Sequence, residues 1–250
     1  MREELKIVGF AAIVCIICSL LLSAAYSQLV DQQVRNVKLD QKYNVLKALG
    51  VPVINEKGKK VMTPDEVEQF FSAHIEATVL DMNGNILPDA KADELTDAQI
   101  AGLSNKPKDH FPIYALTDPE TGDRRYAIHI SGKGLWSTLK GYLALDNCLQ
   151  SVVGITFYEH KETPGLGGEV DKPWFQDQFP EKLVYANGNY NNFRVVKGKV
   201  VDVYPKGADH AVDGIPGATM TSKGLQRFMN GDIATYRPYL DQLRAEAGCE

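Results

Sequence analysis

FPIYALTDPETGDRRYAIHISGKGLWSTLKGYLALDNCLQSVVGITFY, residues 111–158, alternates short apolar runs with turn clusters. The runs cover residues 111–116, 125–130, 141–145 and 152–158, and polar, Gly-containing stretches separate them. β-Branched and aromatic residues favour strands, whereas Asp, Pro and Gly favour turns. The stretch therefore predicts four short strands in a largely antiparallel sheet.

Toward the C-terminus, residues 193–196 and 199–204 are two further apolar runs, joined by Lys197-Gly198. This spacing predicts a second strand pair. Residues 225–247 then return to a helical period, and we expect an interruption near Gly231 and Pro238 because both residues weaken helices.

Toward the N-terminus, residues 75–80 are rich in β-branched residues, and the turn-forming stretch 81–85 precedes Ile86. This order predicts a hairpin. Thr63-Pro64-Asp65-Glu66 is a helix start signal, and residues 28–49 read as a helix that Gly50 and Pro52 terminate. The predicted fold class is α+β, with a largely antiparallel sheet and flanking helices.

Residues 7–26, IVGFAAIVCIICSLLLSAAY, contain no charge and are long enough to cross a bilayer as a helix. A cleaved signal peptide is the alternative, since small residues at 23–25 suit a processing site. The anchor interpretation divides the chain into an N-terminal segment 1–6, a transmembrane anchor 7–26, an emerging helix 27–50 and a globular domain 51–250.

Composition and residue spacing argue against a nucleic-acid partner and against a metal site. There are 27 Lys and Arg against 32 Asp and Glu, without a basic run, so nucleic acid is not an expected partner. The five histidines show no ligand spacing, and no metal site is predicted. The Cys15 and Cys18 pair lies in the apolar span, where small packing residues are expected. Cys148 and Cys249 could pair on an oxidising side of the membrane, but sequence alone does not decide this.

Residues 213–224, DGIPGATMTSKG, form a turn-rich stretch that leads into the last helix. Gly214 and Gly217 allow close backbone approach, Thr219, Thr221 and Ser222 are possible caps, and the free amides of a first helical turn suit an anion. An ordinary capped helix is the alternative interpretation, because many helices begin this way.

Two glycine-rich loops, SGKGLWS at 131–137 and ETPGLGG at 162–168, follow predicted strands. Their backbone could approach a flat ring closely. Taken alone, Trp136 is more typical of a core aromatic residue and Lys133 of a solvated loop charge than of cofactor contacts.

These three segments resemble motifs of the C subunits (NqrC family) of sodium-translocating NADH:quinone oxidoreductases. Asp213, Gly217, Ala218 and Thr219 match that family's flavinylation motif, Asp-x-x-Ser/Thr-Gly-Ala-Thr/Ser. By this resemblance Thr219 carries FMN through a phosphodiester and Asp213 is required for attachment. Pro216 departs from the motif, since the family usually has Ser or Thr there.

The other two loops resemble the family's Gly-x-Gly-Leu-Trp and Glu-Thr-Pro-Gly-Leu-Gly sequences. The resemblance thus adds expected cofactor contacts in both loops and in the first turn of the last helix. These residues are Lys133, Gly134, Leu135, Trp136, Glu162, Thr163, Gly165, Leu166, Thr221 and Ser222. An acidic group such as Glu162 beside a flavin would influence the charge of its reduced states.

The resemblance implies an electron relay without a catalytic residue of its own, in a complex of other subunits in the bacterial inner membrane. The chain would be single-pass, with residues 1–6 cytoplasmic and the FMN domain periplasmic, and would not bind NADH. A flavin transferase that uses FAD and Mg²⁺ would load the FMN. Two alternatives remain open: the G subunit of an Rnf-type ferredoxin:NAD oxidoreductase, and a noncatalytic envelope binding module. The length of residues 51–108 favours the quinone reductase over the Rnf-type protein.

Overall fold

The computed structural model describes residues 2–55, 59–102, 106–119 and 121–249. Two compact units are present, Met1–Asp40 and Gln41–Glu250. Helix α1 (Arg2–Ala48) runs through the first unit and ends in the second. Its apolar segment is long enough to cross a membrane, and none of that window is buried within the protein. An exposed apolar helix of this length fits a membrane anchor.

The second unit is built on a five-stranded antiparallel sheet in the order β1-β2-β3-β4-β5. The four predicted strands are confirmed, and residues 75–80 form the fifth. The strands are β1 (Ile75–Leu80), β2 (Phe111–Thr117), β3 (Arg124–Lys133), β4 (Thr138–Leu145) and β5 (Val152–Glu159).

The hairpin predicted around residues 81–85 is confirmed in a short form. Leu80 and Ile86 make an antiparallel bridge, and the Asp81 and Leu87 amides donate to the Asn85 and Val79 carbonyls. The whole of β1 also pairs with β2, which the sequence did not predict. The turn itself is real, because the Asp81 side chain accepts hydrogen bonds from the Asn83 and Asn85 amides. The local turn chemistry was readable, but the longer-range partner of β1 was not.

Helix α2 (Pro64–His74) begins at the predicted signal. The Thr63 hydroxyl accepts from the Glu66 amide, and the Glu66 carboxylate accepts from the Thr63 amide, which completes a capping box. The remaining α-helices are α3 (Asp97–Ala101), α4 (Pro173–Gln176), α5 (Val200–Val203) and α6 (Thr219–Glu246). Gly50, at φ +82°, follows the end of α1 as predicted.

Two predictions for the C-terminal third are wrong. Residues 200–203 form the short helix α5 rather than a strand. Helix α6 continues through Gly231 and Pro238 without the expected interruption. Its buried face keeps the helix intact across Pro238, because packing against the sheet outweighs the loss of one backbone hydrogen bond. The buried apolar residues of that face are Leu225, Met229, Ile233, Tyr236 and Leu240.

The same region contains four very short strands. Strand β6 (Tyr185–Ala186) pairs with β7 (Asn189–Tyr190), and β8 (Arg194–Val195) pairs in parallel with β9 (Ala211–Val212). Residues 193–196 therefore do form a strand, but its partner lies across α5 in sequence.

Both faces of the main sheet are covered. One face packs with α6 in the large core, and the other packs with Val45, Ala48 and Leu49 at the end of α1. The sheet therefore serves as a rigid support for the loops that join its strands.

Cys148 and Cys249, whose pairing the sequence leaves open, form a disulfide. The bond joins the β4–β5 connection to the residues that follow α6. Beside it the buried Arg244 donates to the Cys148 carbonyl at 2.6 Å and lies over the Tyr185 ring at 3.6 Å. The far end of α6 is thus fixed to the sheet, while Cys15 and Cys18 are free and exposed.

Candidate functional site

The three motif segments, although far apart in sequence, meet around the carboxylate of Glu162. One of its oxygens accepts from the Trp136 and Ser137 amides at 2.9 and 3.0 Å. The other accepts from the Leu135 amide at 3.3 Å and from the Thr221 hydroxyl at 2.8 Å. Glu162 therefore joins the β3–β4 loop, its own loop and the first turn of α6.

The environment of Glu162 keeps it ionised. Its burial raises the pKa, but hydrogen bonds from Ser137, Thr221, Trp136 and Leu135 lower the pKa by more, so the net shift is downward. A charge-assisted hydrogen bond is stronger than a neutral one. The carboxylate thus links the three loops through charge-assisted hydrogen bonds.

Two glycines allow the segments to approach one another. Gly224 on α6 is packed so closely that a Cβ there would lie 2.4 Å from the Lys133 carbonyl. Gly217 has φ +74°, and an added Cβ would lie 2.7 Å from Leu166 Cδ2. A side chain at either position would push the loops apart.

Three of the expected cofactor contacts are apolar side chains that face solvent on the loops that meet at Glu162, and together they are called the apolar surface below. The exposed fractions are 43% for Leu135, 68% for Trp136 and 42% for Leu166. The alternative in which Trp136 is a core aromatic residue is therefore wrong. Lys133 donates to the Trp136 carbonyl at 2.9 Å, which braces the loop rather than leaving a purely solvated charge.

The remaining predicted residues surround this surface. Thr163 is exposed and its carbonyl accepts from the Leu166 and Gly168 amides, which closes the loop. Gly165 turns the same loop at φ +73°, and Gly134 starts the tight turn after β3, donating to the Ser137 carbonyl. Met220, exposed by 56% and adjacent to Thr219, was not predicted from the sequence.

Thr219 is the first residue of α6 and is half-buried. It borders a pocket of about 330 Å³. The pocket lies between residues 195–198 and 214–223, and its walls include Lys197 and Lys223. Neither lysine was predicted as a site residue, since residues 195–198 come next to Thr219 only through the parallel pairing of β8 with β9.

Asp213, predicted to be required for attachment, has a structural contact of its own. Its carboxylate accepts from the Val200 amide at 2.6 Å at the start of α5, and its amide donates to Gln178 at 2.8 Å. Ala218 is buried at the helix start, and the Ser222 hydroxyl accepts from the Ile215 amide at 3.4 Å. These contacts fix the backbone of residues 213–222 in one conformation.

Within the described parts of the chain, no group of three or more His, Cys, Asp or Glu side chains is placed to hold a metal ion. The site instead combines an exposed apolar surface, a hydroxyl at a helix start and an adjoining pocket with two lysines. This combination fits a ligand with a flat apolar part and an anionic end.

Comparison with known families agrees with that chemistry. Residues 134–231 match the model of the FMN-binding domain, a range that covers all three motif loops apart from Ser131, Gly132 and Lys133. The residues present fit FMN, because the apolar surface suits its ring system and the lysine-lined pocket suits its phosphate.

Full-length relatives define the family more narrowly. The C subunit of the Na⁺-translocating NADH-quinone reductase of Pseudomonas aeruginosa is 32% identical over 88% of this chain and 87% of its own length. Its Yersinia pestis counterpart is 32% identical over 94% of this chain and 91% of its own. The chain belongs to the family of C subunits of Na⁺-translocating NADH-quinone reductases.

Solved structures share the fold. The crystal structure of the C subunit from Parabacteroides distasonis aligns with a TM-score of 0.69 and 27% identity over 85% of this chain and 96% of that one. Shewanella oneidensis NqrC aligns with a TM-score of 0.67 and 25% identity, covering 82% of this chain and 96% of that one.

Proposed function

We propose that this protein is the electron-transfer subunit of a sodium-translocating NADH:quinone oxidoreductase and carries FMN covalently on Thr219. The observation that supports the assignment best is the meeting of the three motif loops at Glu162, beside the helix that begins with Thr219. Residues from three distant parts of the sequence thereby form one surface next to one hydroxyl.

The residues of the chain have separable tasks in this proposal. Thr219 tethers the cofactor, and Leu135, Trp136 and Leu166 cover the ring system and exclude water from it. Glu162 holds the loops in place, because its carboxylate accepts hydrogen bonds from the β3–β4 loop and from the first turn of α6. The bound flavin supplies the electron-accepting and electron-donating chemistry, and the protein supplies its position and surroundings.

Attachment requires a second protein, which we propose is a flavin transferase that uses FAD and Mg²⁺. The Thr219 hydroxyl oxygen bonds to the flavin-side phosphorus of FAD, and the bond from that phosphorus to the bridging oxygen of the pyrophosphate breaks. AMP leaves with the bridging oxygen, and the hydroxyl proton is released. No electron is transferred in this step.

The anchor and the disulfide support a proposal for the cellular arrangement. We propose a single-pass protein of the bacterial cytoplasmic membrane, with the FMN domain on the periplasmic side. Disulfides persist in oxidising compartments and are rare in the cytosol, so the Cys148–Cys249 bond supports this orientation. The partners are the other subunits of the complex, and one of those subunits, rather than this chain, binds NADH.

Electron transfer is tested in the assembled complex. The complex is purified with the parent chain or with Thr219→Ala, and sodium-stimulated electron transfer from NADH to quinone is measured. We expect the variant complex to assemble and to lose quinone reduction while NADH oxidation by an artificial acceptor persists. Unchanged quinone reduction would contradict the proposal, and copurification with a ferredoxin-linked complex would assign the chain to the Rnf-type alternative.

A further inference from the structure

The pocket beside Thr219 is separate from the surface assigned to the flavin ring. Its walls are residues 195–198, residues 214–217, Thr219, Ser222 and Lys223. None of them belongs to the 134–137 or 162–168 loops. Thr219 itself lines this pocket of about 330 Å³, and Gly217 of the same wall lies next to Leu166 of the exposed apolar surface.

The charge of the pocket is unusual for this protein. The chain as a whole has a net charge of −5, yet no Asp or Glu among the described residues lines the pocket, whereas Lys197 and Lys223 both do. Both lysines are exposed to solvent, and neither has an ion-pair or hydrogen-bond partner in the described part of the chain. Two unpaired cations at one mostly apolar pocket suit an anionic ligand.

Pro216 leaves the same pocket wall without a hydrogen-bond donor at position 216. Proline has neither a backbone N-H nor a side-chain donor, so residue 216 cannot donate a hydrogen bond to a ligand in the pocket. Lysine provides three donors and a full charge on a flexible stem. Lys197 and Lys223 can therefore supply the hydrogen bonds that position 216 cannot.

We propose that Lys197 and Lys223 bind the phosphodiester of the FMN attached to Thr219, so that the pocket holds the phosphate end of the cofactor. The inference rests on the proposed function and adds two positioning residues to it. The phosphodiester carries a negative charge that the two ammonium groups neutralise. The two lysines would hold the phosphate, and the exposed residues Leu135, Trp136 and Leu166 would contact the ring.

The test is ³¹P NMR of the flavin-loaded full-length chain in a maltoside detergent and a phosphate-free buffer. The variants are Lys197→Gln, Lys223→Gln and Lys223→Arg, and Lys206→Gln is the matched control, because Lys206 is exposed and does not line the pocket. We expect the phosphodiester resonance to move in both glutamine pocket variants. It should stay at the parent position in Lys206→Gln and close to it in Lys223→Arg.

A resonance at the same position in all variants would overturn the inference while leaving the proposed function intact. If the parent chain carried no covalent flavin, the proposed function would be wrong, and the lysines would not have the proposed role. If a pocket variant cannot be loaded with flavin, its apoprotein and the parent apoprotein are each titrated with FMN and with riboflavin. We expect the preference for FMN over riboflavin to be lower in the variant than in the parent by on the order of tenfold. An unchanged preference would again overturn the inference.

Discussion

The Thr221 hydroxyl donates to the Glu162 carboxylate at 2.8 Å, across 59 positions of sequence. This contact links the first turn of α6 to a loop that follows β5, and the same carboxylate binds three consecutive amides of the β3–β4 loop. Thr219 lies two residues before Thr221. The position of the proposed flavin acceptor therefore depends on a buried carboxylate that is itself fully hydrogen-bonded.

Glu162→Gln should destabilise the domain by about 1–3 kcal/mol, since an amide NH₂ would face backbone donors that the carboxylate now satisfies. We would measure the free energy of unfolding by urea titration of the full-length chain in detergent, following tryptophan fluorescence. Glu76→Gln is the control, because its side chain is 72% exposed and its ion pair with Arg124 contributes little. Equal stabilities of the two variants would show that Glu162 does not hold the loops.

Two glycine substitutions should have opposite effects. Gly217→Ala places a Cβ at φ +74° and 2.7 Å from Leu166, so we expect a loss of about 1–3 kcal/mol and poorer flavin attachment. Gly231→Ala lies within α6 with open space around the added Cβ, and should stabilise by about 0.5–1 kcal/mol. The same urea titrations give both values. Destabilisation by both substitutions would contradict the assigned geometry.

Part of this site was readable from the sequence and part was not. The three loops were recognised by their resemblance to the family's motifs, whereas the capping box at Thr63 and the four strands follow from local patterns. The helix at residues 200–203 does not follow from local patterns, because the Val200 amide at its start donates to Asp213, which lies in another segment. Lys197 and Lys223 likewise share a pocket only through tertiary pairing, and the Cys148–Cys249 bond depends on where α6 ends.

Removal of the disulfide should destabilise the domain strongly. The bond closes a sequence separation of 101 residues, and chain entropy predicts a contribution of about 2–5 kcal/mol for a loop of that length. Cys148→Ser with Cys249→Ser should lower the urea midpoint accordingly. The control, Cys15→Ser with Cys18→Ser, removes two free, exposed thiols and should leave the midpoint unchanged. A double Cys148/Cys249 variant as stable as the parent would mean that the bond does not form in the cell.

The buried His129 should make the domain sensitive to mild acid. Burial, together with Lys108 and Lys140, lowers the His129 pKa to about 3 from an ordinary value of 6.5. The folded state thus excludes a proton that the unfolded state binds, so stability is complete above pH 6.5 and falls as the pH drops below it. The slope is about 1.4 kcal/mol per pH unit.

Asp232 changes the stability with pH in the opposite direction. Burial raises the Asp232 pKa from 3.8 to about 6 despite Lys108. The stability that Asp232 contributes therefore weakens as the pH rises from 3.8 to about 6. The measurement is therefore a difference. Free energies of unfolding are compared for the parent and His129→Gln between pH 7 and pH 5. We expect the parent to lose more stability than the variant over this range. Parallel curves would contradict the assignment of the acid sensitivity to His129.

The covalent flavin on Thr219 is the central claim, and the most direct measurement is the intact mass combined with in-gel flavin fluorescence after denaturation. The full-length parent, Thr219→Ala, Thr219→Ser and Thr221→Ala are each coexpressed with a flavin transferase. The account predicts FMN mass and fluorescence in the parent, Thr219→Ser and Thr221→Ala, and neither in Thr219→Ala. Flavin that survives denaturation on Thr219→Ala, or its absence from the parent, would contradict the account.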